Sequence, residues 1–473
     1  MNNSKISRRE LARVGVGAFT ASALASVPAN SRAQGAGEEM ASEATPHLVN
    51  GLAKAHAFVH SMMDAYATGQ TLRLIQSYSD QMQLQSTSFV YDNAVVINAL
   101  LERGDNASLQ RARLLGQTLL YAQQNDPCGD GRVRQAYFVD QPDTSGVFLR
   151  PALAPFFFIG STTGDMSWVG MGLARLYART GERQLLNGAI RLGQWIVKNT
   201  FNTGGAGGFT AGVDANNNPL TYKSTEHNID AFALFDMLAR LTGDGSWTQQ
   251  ATHARTFVQA MFNAESDFFW TGTLGDGTTI NTNPIPEDVN TWSFLALQDE
   301  GFAGSVDWAK TNLAVTDTPQ SFNNSVAGNK IRISGITFTT FAQHPPIVNN
   351  EFASSDPFST PPNPNSVWLE GTAHTAAALR ARSLPAELDL PGFSGDHNTA
   401  SFLLLNILGA QATQGAGQSC GGKPLLPGTG VPAASSELNT GFGFSYKPFL
   451  HIGATGWFAI AAQARNPFRI RGW

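Results

Sequence analysis

Acidic side chains recur at the start of apolar segments that have the residue pattern of a helix. They are Asp92, Asp165, Glu226, Asp230, Glu287, Asp288 and Glu370. Carboxylates favour helix N-termini, so capping explains each of them taken singly. If the segments pack side by side, however, the acids meet at one place, and a nearly buried carboxylate is costly unless something uses it.

Six short motifs carry these acids or stand in the equivalent position, and they begin at Tyr91, Thr163, Ser224, Glu287, Trp368 and Phe449. Tryptophans cluster near the same starts, at Trp168, Trp292, Trp368 and Trp457. At a cavity mouth an indole offers a flat apolar face and a donor, which suits a sugar ring, although core packing uses the same residue.

Carboxylates and aromatic faces around one cleft are what glycoside hydrolysis requires. We predict Glu226 as the general acid, because it has the longer reach and starts the most polar motif, with Asp288 or Glu370 as its carboxylate partner. Crowding among acids would raise the pKa of some of them and supply a proton donor. The predicted substrate contacts are Asp92, Asp165, Trp168, His227, Asp230, Trp292, Trp368, His374, Tyr446 and His451.

Two kinds of helical segment alternate along the chain. Amphipathic segments, predicted to be outer helices, cover 47–66, 107–124, 182–199, 246–263, 302–314 and 396–411. Segments poorer in charge, predicted to be inner helices, cover 92–101, 165–177, 226–241, 287–297, 367–381 and 448–464. Strict alternation predicts an all-α (α/α)6 toroid. An open solenoid of helix pairs is the alternative, but its repeats have a fixed period, whereas the spacing here varies.

Connection lengths predict one elaborate face. Links from inner to outer segments are mostly short, whereas the links that lead into inner segments, such as 125–164 and 315–366, are long. Long loops in a compact domain are usually functional, and these reach the same end as the six motifs. Residues 330–341 alternate like a strand, so a small sheet is expected on this face.

The alternation, together with Tyr91-Asp92-Asn93-Ala94 and Glu370-Gly371-Thr372-Ala373-His374, resembles the six-hairpin (α/α)6 glycosidases, which include glucoamylase-like and β-glucanase-like enzymes. The resemblance covers nearly all of the chain after the leader, at the level of architecture. It implies a substrate cleft at the N-terminal ends of the inner helices. The same group holds polysaccharide lyases and sugar epimerases, so fold alone does not choose the reaction.

The first 33 residues are predicted to be a signal peptide. Arg8 and Arg9 precede an uncharged apolar run and small residues that end at Ala33, and the paired arginines resemble a twin-arginine export signal. We therefore expect a periplasmic or secreted protein, with a flexible segment at 34–46 and one catalytic domain at 47–473. The two cysteines, Cys128 and Cys420, either form a disulfide or stay free in such a compartment.

The charge pattern limits the partners. A net charge of −5 without a basic block disfavours nucleic acid and anionic membranes, and no segment after the leader is long and apolar enough to span a bilayer. We expect a carbohydrate substrate and favour a monomer. No cofactor or catalytic metal is predicted, although Asp214 begins a run with part of a calcium-loop pattern.

Two other functions remain open from the sequence. A polysaccharide lyase would use a base such as His227, His451 or Tyr446 and would need Arg or Lys beside a uronate. The motifs offer only Lys223 and Lys447, just before two of them, which favours the hydrolase. The other alternative is a non-catalytic glycan-binding protein of the cell envelope.

Overall fold

The computed structural model describes residues 32–82, 84, 86–140, 159–319, 331–345, 347–348, 351–352, 361–383 and 395–470. Across these ranges the chain forms twelve α-helices: α1 (Arg32–Met63), α2 (Val90–Arg103), α3 (Asn106–Gln124), α4 (Thr163–Thr180), α5 (Arg183–Thr200), α6 (Thr225–Thr242), α7 (Gly245–Ala260), α8 (Asp288–Leu297), α9 (Ala303–Asn312), α10 (Leu369–Arg382), α11 (Asp396–Thr413) and α12 (Ile452–Ala462). A 3₁₀ turn, Glu300–Phe302, precedes α9.

The predicted signal peptide lies outside the described residues apart from its last two positions. Helix α1 runs through 34–46, the segment expected to be flexible, so it begins well before the outer helix predicted at residue 47. The division of the chain into leader, linker and domain stays a prediction.

Helices α2, α4, α6, α8, α10 and α12 form a closed inner ring. Each packs against the next, and α12 packs against α2. The other six lie outside: α3, α5, α7, α9 and α11 each pack on the inner helix that precedes them, and α1 packs on α11 and α12. Closure excludes the open solenoid and confirms the (α/α)6 toroid. It also explains the charge-poor pattern of the inner helices; every residue of α8 is buried.

The two faces of the ring differ because the inner helices begin and end in different ways. Helices α2, α4 and α6 each end on a glycine with positive φ, namely Gly104, Gly181 and Gly243, which turns the chain at once into the next outer helix. At the opposite ends, the side chains of Thr162, Ser224 and His451 cap α4, α6 and α12. At these three helices the C-terminal face is therefore plain, and in the part of the chain that the structure describes the long loops lead to the N-terminal ends of the inner helices.

Short strands cover the N-terminal face. They are β1 (Thr87–Phe89), β2 (Ala136–Phe138), β3 (Ser161–Thr162), β4 (Gly212–Val213), β5 (Pro219–Leu220), β6 (Phe262–Asn263), β7 (Phe268–Phe269), β8 (Gly272–Thr273), β9 (Ile280–Asn281), β10 (Ala314–Asp317), β11 (Ile333–Ile336), β12 (Ile347–Val348), β13 (Glu351–Phe352), β14 (Ser419–Cys420), β15 (Lys423–Pro424), β16 (Leu438–Asn439) and β17 (Ser445–Tyr446). Strands β3, β4 and β5 form one sheet, and the others pair in twos, all antiparallel. The strand expected within 330–341 is β11, which pairs with β10 so that Ala314 faces Ile336.

The loops themselves form a second ring. The extended residues before each inner helix pair with the loop that leads to the next inner helix around the toroid. The six links are β1 to β2, β3 to β4, Ser224 to Gly272, Pro286 to Thr339, Trp368 to Ala434, and His451 to Tyr78. This ring of pairings fixes the long loops around the N-terminal face.

A polar residue in five of the six motifs anchors these loops. In three motifs an asparagine accepts a loop N–H and donates to a carbonyl at the start of its own helix; in two a threonine does the same. The anchors are Asn93, Asn228, Asn290, Thr372 and Thr455, and the loop N–H groups belong to Ile75, Phe209, Phe269, Ile336 and Val431. Part of the six-fold pattern in the sequence is therefore structural, since every buried loop N–H needs an acceptor.

Candidate active site

A cleft of about 530 Å³ opens at the N-terminal ends of α6 and α8. Glu226 and His227 at the start of α6 and Asp288 at the start of α8 line it. The aromatic part of its wall consists of Tyr222, Phe338, Phe442 and Phe444. The structure thus brings two of the three predicted catalytic carboxyl groups to one cleft.

The two cleft carboxyls have unusual proton affinities. Burial, and then the charge of Asp288, raise the pKa of Glu226 well above its ordinary value. Burial, and then Glu287, raise the pKa of Asp288 to about 7, while His374 opposes that shift. The charges that raise the pKa of Glu226 all come from carboxyls, whereas His374 favours the ionised form of Asp288 and offsets part of the effect of Glu287.

Two further acids surround Glu226. Asp230, one helical turn along α6, is fully buried, and its burial, followed by the charges of Glu226 and Asp288, raises its pKa well above its ordinary value. Burial raises the pKa of Asp165 to about 6, against hydrogen bonds that include one from the Thr162 hydroxyl at 2.6 Å. Of these two, Asp165 adds to the rise in the pKa of Glu226, and Glu226 in turn raises the pKa of Asp230.

The third predicted catalytic residue, Glu370, lies in a buried chain of alternating carboxylates and imidazoles. Its Oε2 is 3.5 Å from Nδ1 of His451, whose Nε2 is 3.1 Å from Oδ2 of Asp92. Its Oε1 accepts a hydrogen bond from the Tyr91 hydroxyl and is 3.7 Å from Nε2 of His374. We call this chain, which continues from His374 to Glu287, the buried ion chain. It crosses α2, α12, α10 and the N-terminal end of α8.

The pKa shifts of Glu370, His374 and His451 in the buried ion chain favour their charged forms, in contrast to those of the cleft acids. Burial alone would raise the pKa of Glu370, but His374, His451 and Tyr91 together lower it below its ordinary value. Burial alone would lower the pKa of His374, but Glu287 and Glu370 raise it to about 9. His451 also has a raised pKa, because Asp92 and Glu370 outweigh its burial. Glu370 is therefore an ion-pair partner and a poor proton donor.

The predicted tryptophan contacts lie in the core, not on the cleft wall. Trp168, Trp292 and Trp457 pack on one another at the centre of the toroid, with ring centroids 5.2 to 5.8 Å apart, and each is at most 2% exposed. Trp368 is 3% exposed and packs on Phe338 and Tyr446. Inner helices are covered on all sides, so a tryptophan on one of them packs against side chains of the neighbouring inner helices and does not reach the cleft.

The remaining predicted contacts divide between cleft and core. His227 is partly exposed in the cleft, and burial lowers its pKa to about 4, so it is neutral at physiological pH. Gly164 leaves room for its ring, since a Cβ there would lie 2.6 Å from the ring carbon Cδ2. Tyr446 stacks on Trp368, and Asp92, His374 and His451 belong to the buried ion chain.

The sequence reasoning missed two groups of residues. One is the aromatic wall, Tyr222, Phe442 and Phe444, which comes from loops whose register no helix pattern sets. The other is the pair Glu287 and Tyr91, which hold His374 and Glu370. The adjacent acids Glu287 and Asp288 were a signal, but α8 begins between them, so periodicity could not assign them to different sides.

The other sequence predictions concern metal, cysteines and membrane. The Asp214 carboxylate accepts hydrogen bonds from the backbone of Asn216 and Asn218 and closes a turn. Among the described residues no group of three or more His, Cys, Asp or Glu side chains is arranged to hold a metal ion, and no helix there is long and apolar enough to cross a membrane. Cys128 is exposed, Cys420 is buried, and no disulfide joins them.

Comparison with solved structures identifies the fold of this chain. The sequence matches no protein-family model and no curated protein. The structure is similar to that of a glycosidase (TM-score 0.55, 11% identity, 89% of this chain and 97% of that chain). It is also similar to a GH76 α-mannanase from Bacteroides thetaiotaomicron (0.54, 11%, 88% and 95%) and to a cellobiose 2-epimerase from Bacillus thermoamylovorans (0.57, 9%, 88% and 98%). This chain therefore has the fold of the (α/α)6 toroid enzymes that act on carbohydrates, as the resemblance in its sequence implied.

Proposed function

We propose that the protein is an exported glycoside hydrolase that cleaves a polysaccharide or oligosaccharide in the cleft between α6 and α8. One observation carries the proposal: Glu226 and Asp288 line the same cleft, interact electrostatically and both have a raised pKa. Two carboxyl groups of unequal proton affinity beside one cavity are the requirement for acid/base cleavage of a glycosidic bond.

Glu226 is the general acid and Asp288 its carboxylate partner. Burial, and then the charge of Asp288, raise the pKa of Glu226, which suits a proton donor. His374 favours the ionised form of Asp288, which as a carboxylate activates water or attacks the sugar. Glu370 was the other candidate partner; its oxygens already face Tyr91, His374 and His451, which leaves it no part in the cleft chemistry.

The wall of the cleft fits an uncharged sugar. Tyr222 and Phe442 are 40% and 41% exposed, and aromatic faces of this kind pack on the apolar face of a pyranose ring. Among the described residues that line the cleft there is no arginine, and the one lysine, Lys223, turns its ammonium away to donate to the carbonyl of Gly204 at 2.6 Å. A lyase would need such a cation beside the uronate carboxylate, so the hydrolase is favoured.

The shared fold does not select the reaction, because the similar structures include an epimerase as well as glycosidases. The test is incubation of the purified protein with a panel of mannans, glucans, xylans and uronate-containing polymers. New reducing ends are expected. Absorbance from unsaturated uronides would show a lyase, and tight sugar binding without any product would show a binding protein.

Substitution of Glu226 tests its assignment as the general acid. Glu226→Gln should lower kcat/KM by about 10²–10⁴-fold, the usual contribution of a positioned general acid. Glu265→Gln, the same change at an exposed position, is the control and should leave the rate unchanged. A Glu226→Gln protein within about threefold of the parent would exclude Glu226 as the acid.

A further inference from the structure

Glu287 directly precedes Asp288 but does not line the cleft. Its carboxylate turns inward, where Oε1 accepts a hydrogen bond from the Thr375 hydroxyl at 2.7 Å and Oε2 lies 3.0 Å from Nδ1 of His374. Both Glu287 and His374 are fully buried. A buried ion pair therefore lies directly behind one of the two cleft carboxyls.

Three tryptophans fix the position of His374. Its ring centroid is 4.3 Å from that of Trp457, 5.0 Å from Trp292 and 5.1 Å from Trp368. The three indole rings pack around the imidazole and restrict its rotation. The cation of the pair is thus held at one place relative to the start of α8.

We propose that Glu287 and His374 are positioning residues that act on Asp288 in opposite directions from behind the cleft, Glu287 opposing its ionisation and His374 favouring it. The inference rests on the proposed function, in which Asp288 is the carboxylate partner of Glu226. Neither residue of the pair touches the cleft; both act through the charge they place behind Asp288.

The charges that face Asp288 come from several elements. Helix α6 contributes Glu226 and Asp230, α10 contributes His374 and Glu370, β17 contributes Tyr446, and Glu287 precedes Asp288 on its own helix. On α9 the ionisable groups are Asp307 and Lys310, which pair with each other, while Asp307 also pairs with Arg382; Glu300 in the 3₁₀ turn is exposed. After burial, Glu287 and His374 act most strongly on Asp288, in opposite directions.

The pH dependence of kcat/KM tests the inference, since its acidic limb reports ionisation of the base in the free enzyme. Removal of the cation in His374→Gln should move that limb to higher pH, and removal of the anion in Glu287→Gln should move it to lower pH. Each shift should be about one pH unit, because a nearby charge changes a carboxyl pKa by that order. The double variant should return close to the parent, and Glu287→Asp, which keeps the charge, should stay there. His397→Gln, at an exposed histidine, is the control.

A reciprocal measurement keeps the test independent of turnover and of the folding of the buried variants. Coupling between two titrating groups is mutual. Asp288→Asn removes the carboxylate charge at the cleft and should therefore lower the pKa of His374 by a similar amount. An NMR titration of labelled histidine rings measures this shift. If no polymer is cleaved, the proposed function fails and this titration still decides the inference. An unmoved His374 titration, or single variants whose acidic limbs coincide with the parent's, would overturn it.

Discussion

The starts of α6 and α10 carry similar residues and have opposite electrostatics. Each helix has a glutamate at its second position, Glu226 in α6 and Glu370 in α10, and a titratable residue one turn later. In α6 that residue is Asp230, another acid, whose own pKa is raised by burial and then by Glu226, while burial and then the charge of Asp288 raise the pKa of Glu226. In α10 it is His374, and the pKa of Glu370 falls. A histidine four positions along thus favours the ionised form of Glu370, whereas an aspartate in the same place gives Glu226 no cation.

Glu226 and Glu370 also differ in their exposure to solvent. Glu226 is partly exposed and lines the cleft, whereas Glu370 is 1% exposed among its partners. An acid without a cation stays tolerable where water or substrate reaches it, because full burial of an unpaired charge costs several kcal/mol. Glu226 and Glu370 therefore differ in environment, as the proposed assignment of Glu226 to the chemistry and of Glu370 to an ion pair requires.

The first prediction compares stability. At pH 7 the unfolded chain gains free energy from ionising Glu226, whereas the folded chain, in which the pKa is raised, gains less; Glu226→Gln should therefore leave the free energy of unfolding unchanged or raise it. Glu370→Gln removes the buried carboxylate that pairs with the His374 cation and lies 3.5 Å from His451, and it should lower that free energy by about 3–5 kcal/mol. Urea unfolding of both variants at pH 7 measures the difference. Equal stabilities would mean that Glu370 is not part of an ionised network.

The ring could be predicted from the sequence, and the ionisation pattern only in part. Alternation of charge-poor and amphipathic segments gives twelve helices, and long loops at one end place the acids on one face. The pairing of Glu370 with His374 could also be predicted, since residues four positions apart share a helix face. The contacts of Glu370 with His451 and Tyr91 were not, because they join α10 to α12 and α2 across the ring.

The tryptophans show a second feature that the sequence could not predict, the direction in which a large side chain points. Trp292 and Trp368 stand at helix starts, where a sugar could stack, yet they enclose His374. Position along a helix gives depth in the toroid but not the direction of a large side chain, which the packing of six helices decides together. The aromatic groups that do reach the cleft, such as Tyr222 and Phe442, come from loops.

The second prediction concerns the space that the buried ion chain needs. Gly453 in α12 lies against it: a Cβ there would be 2.6 Å from Oδ1 of Asp92 and 3.1 Å from Oε2 of Glu370. Gly453→Ala should therefore lower the free energy of unfolding by about 1–3 kcal/mol, the usual cost of overpacking. Thermal or urea unfolding measures it.

Gly409→Ala is the matched control, because this glycine also lies inside a helix, α11, and a Cβ there meets nothing within 4 Å. It should stabilise the protein by up to about 1 kcal/mol through helix propensity. The two substitutions should thus have opposite signs. A Gly453→Ala protein as stable as the parent would show that Asp92, His451 and Glu370 are packed more loosely than the structure indicates.

The third prediction, with the smallest expected effect, tests the aromatic residues of the cleft. Tyr222 is exposed and makes few demands on the fold, so Tyr222→Ala should change the free energy of unfolding by less than about 0.5 kcal/mol. If a sugar ring stacks on it, the change should weaken binding of an oligosaccharide substrate by roughly fivefold, equivalent to about 1 kcal/mol, and raise KM more than it lowers kcat. Leu274→Ala is the comparison, because Leu274 is an exposed apolar residue of the same cleft and offers no ring. Equal losses of binding in the two variants would assign the contribution of Tyr222 to apolar area alone, and unchanged binding in Tyr222→Ala would move the sugar to another part of the cleft, away from α6.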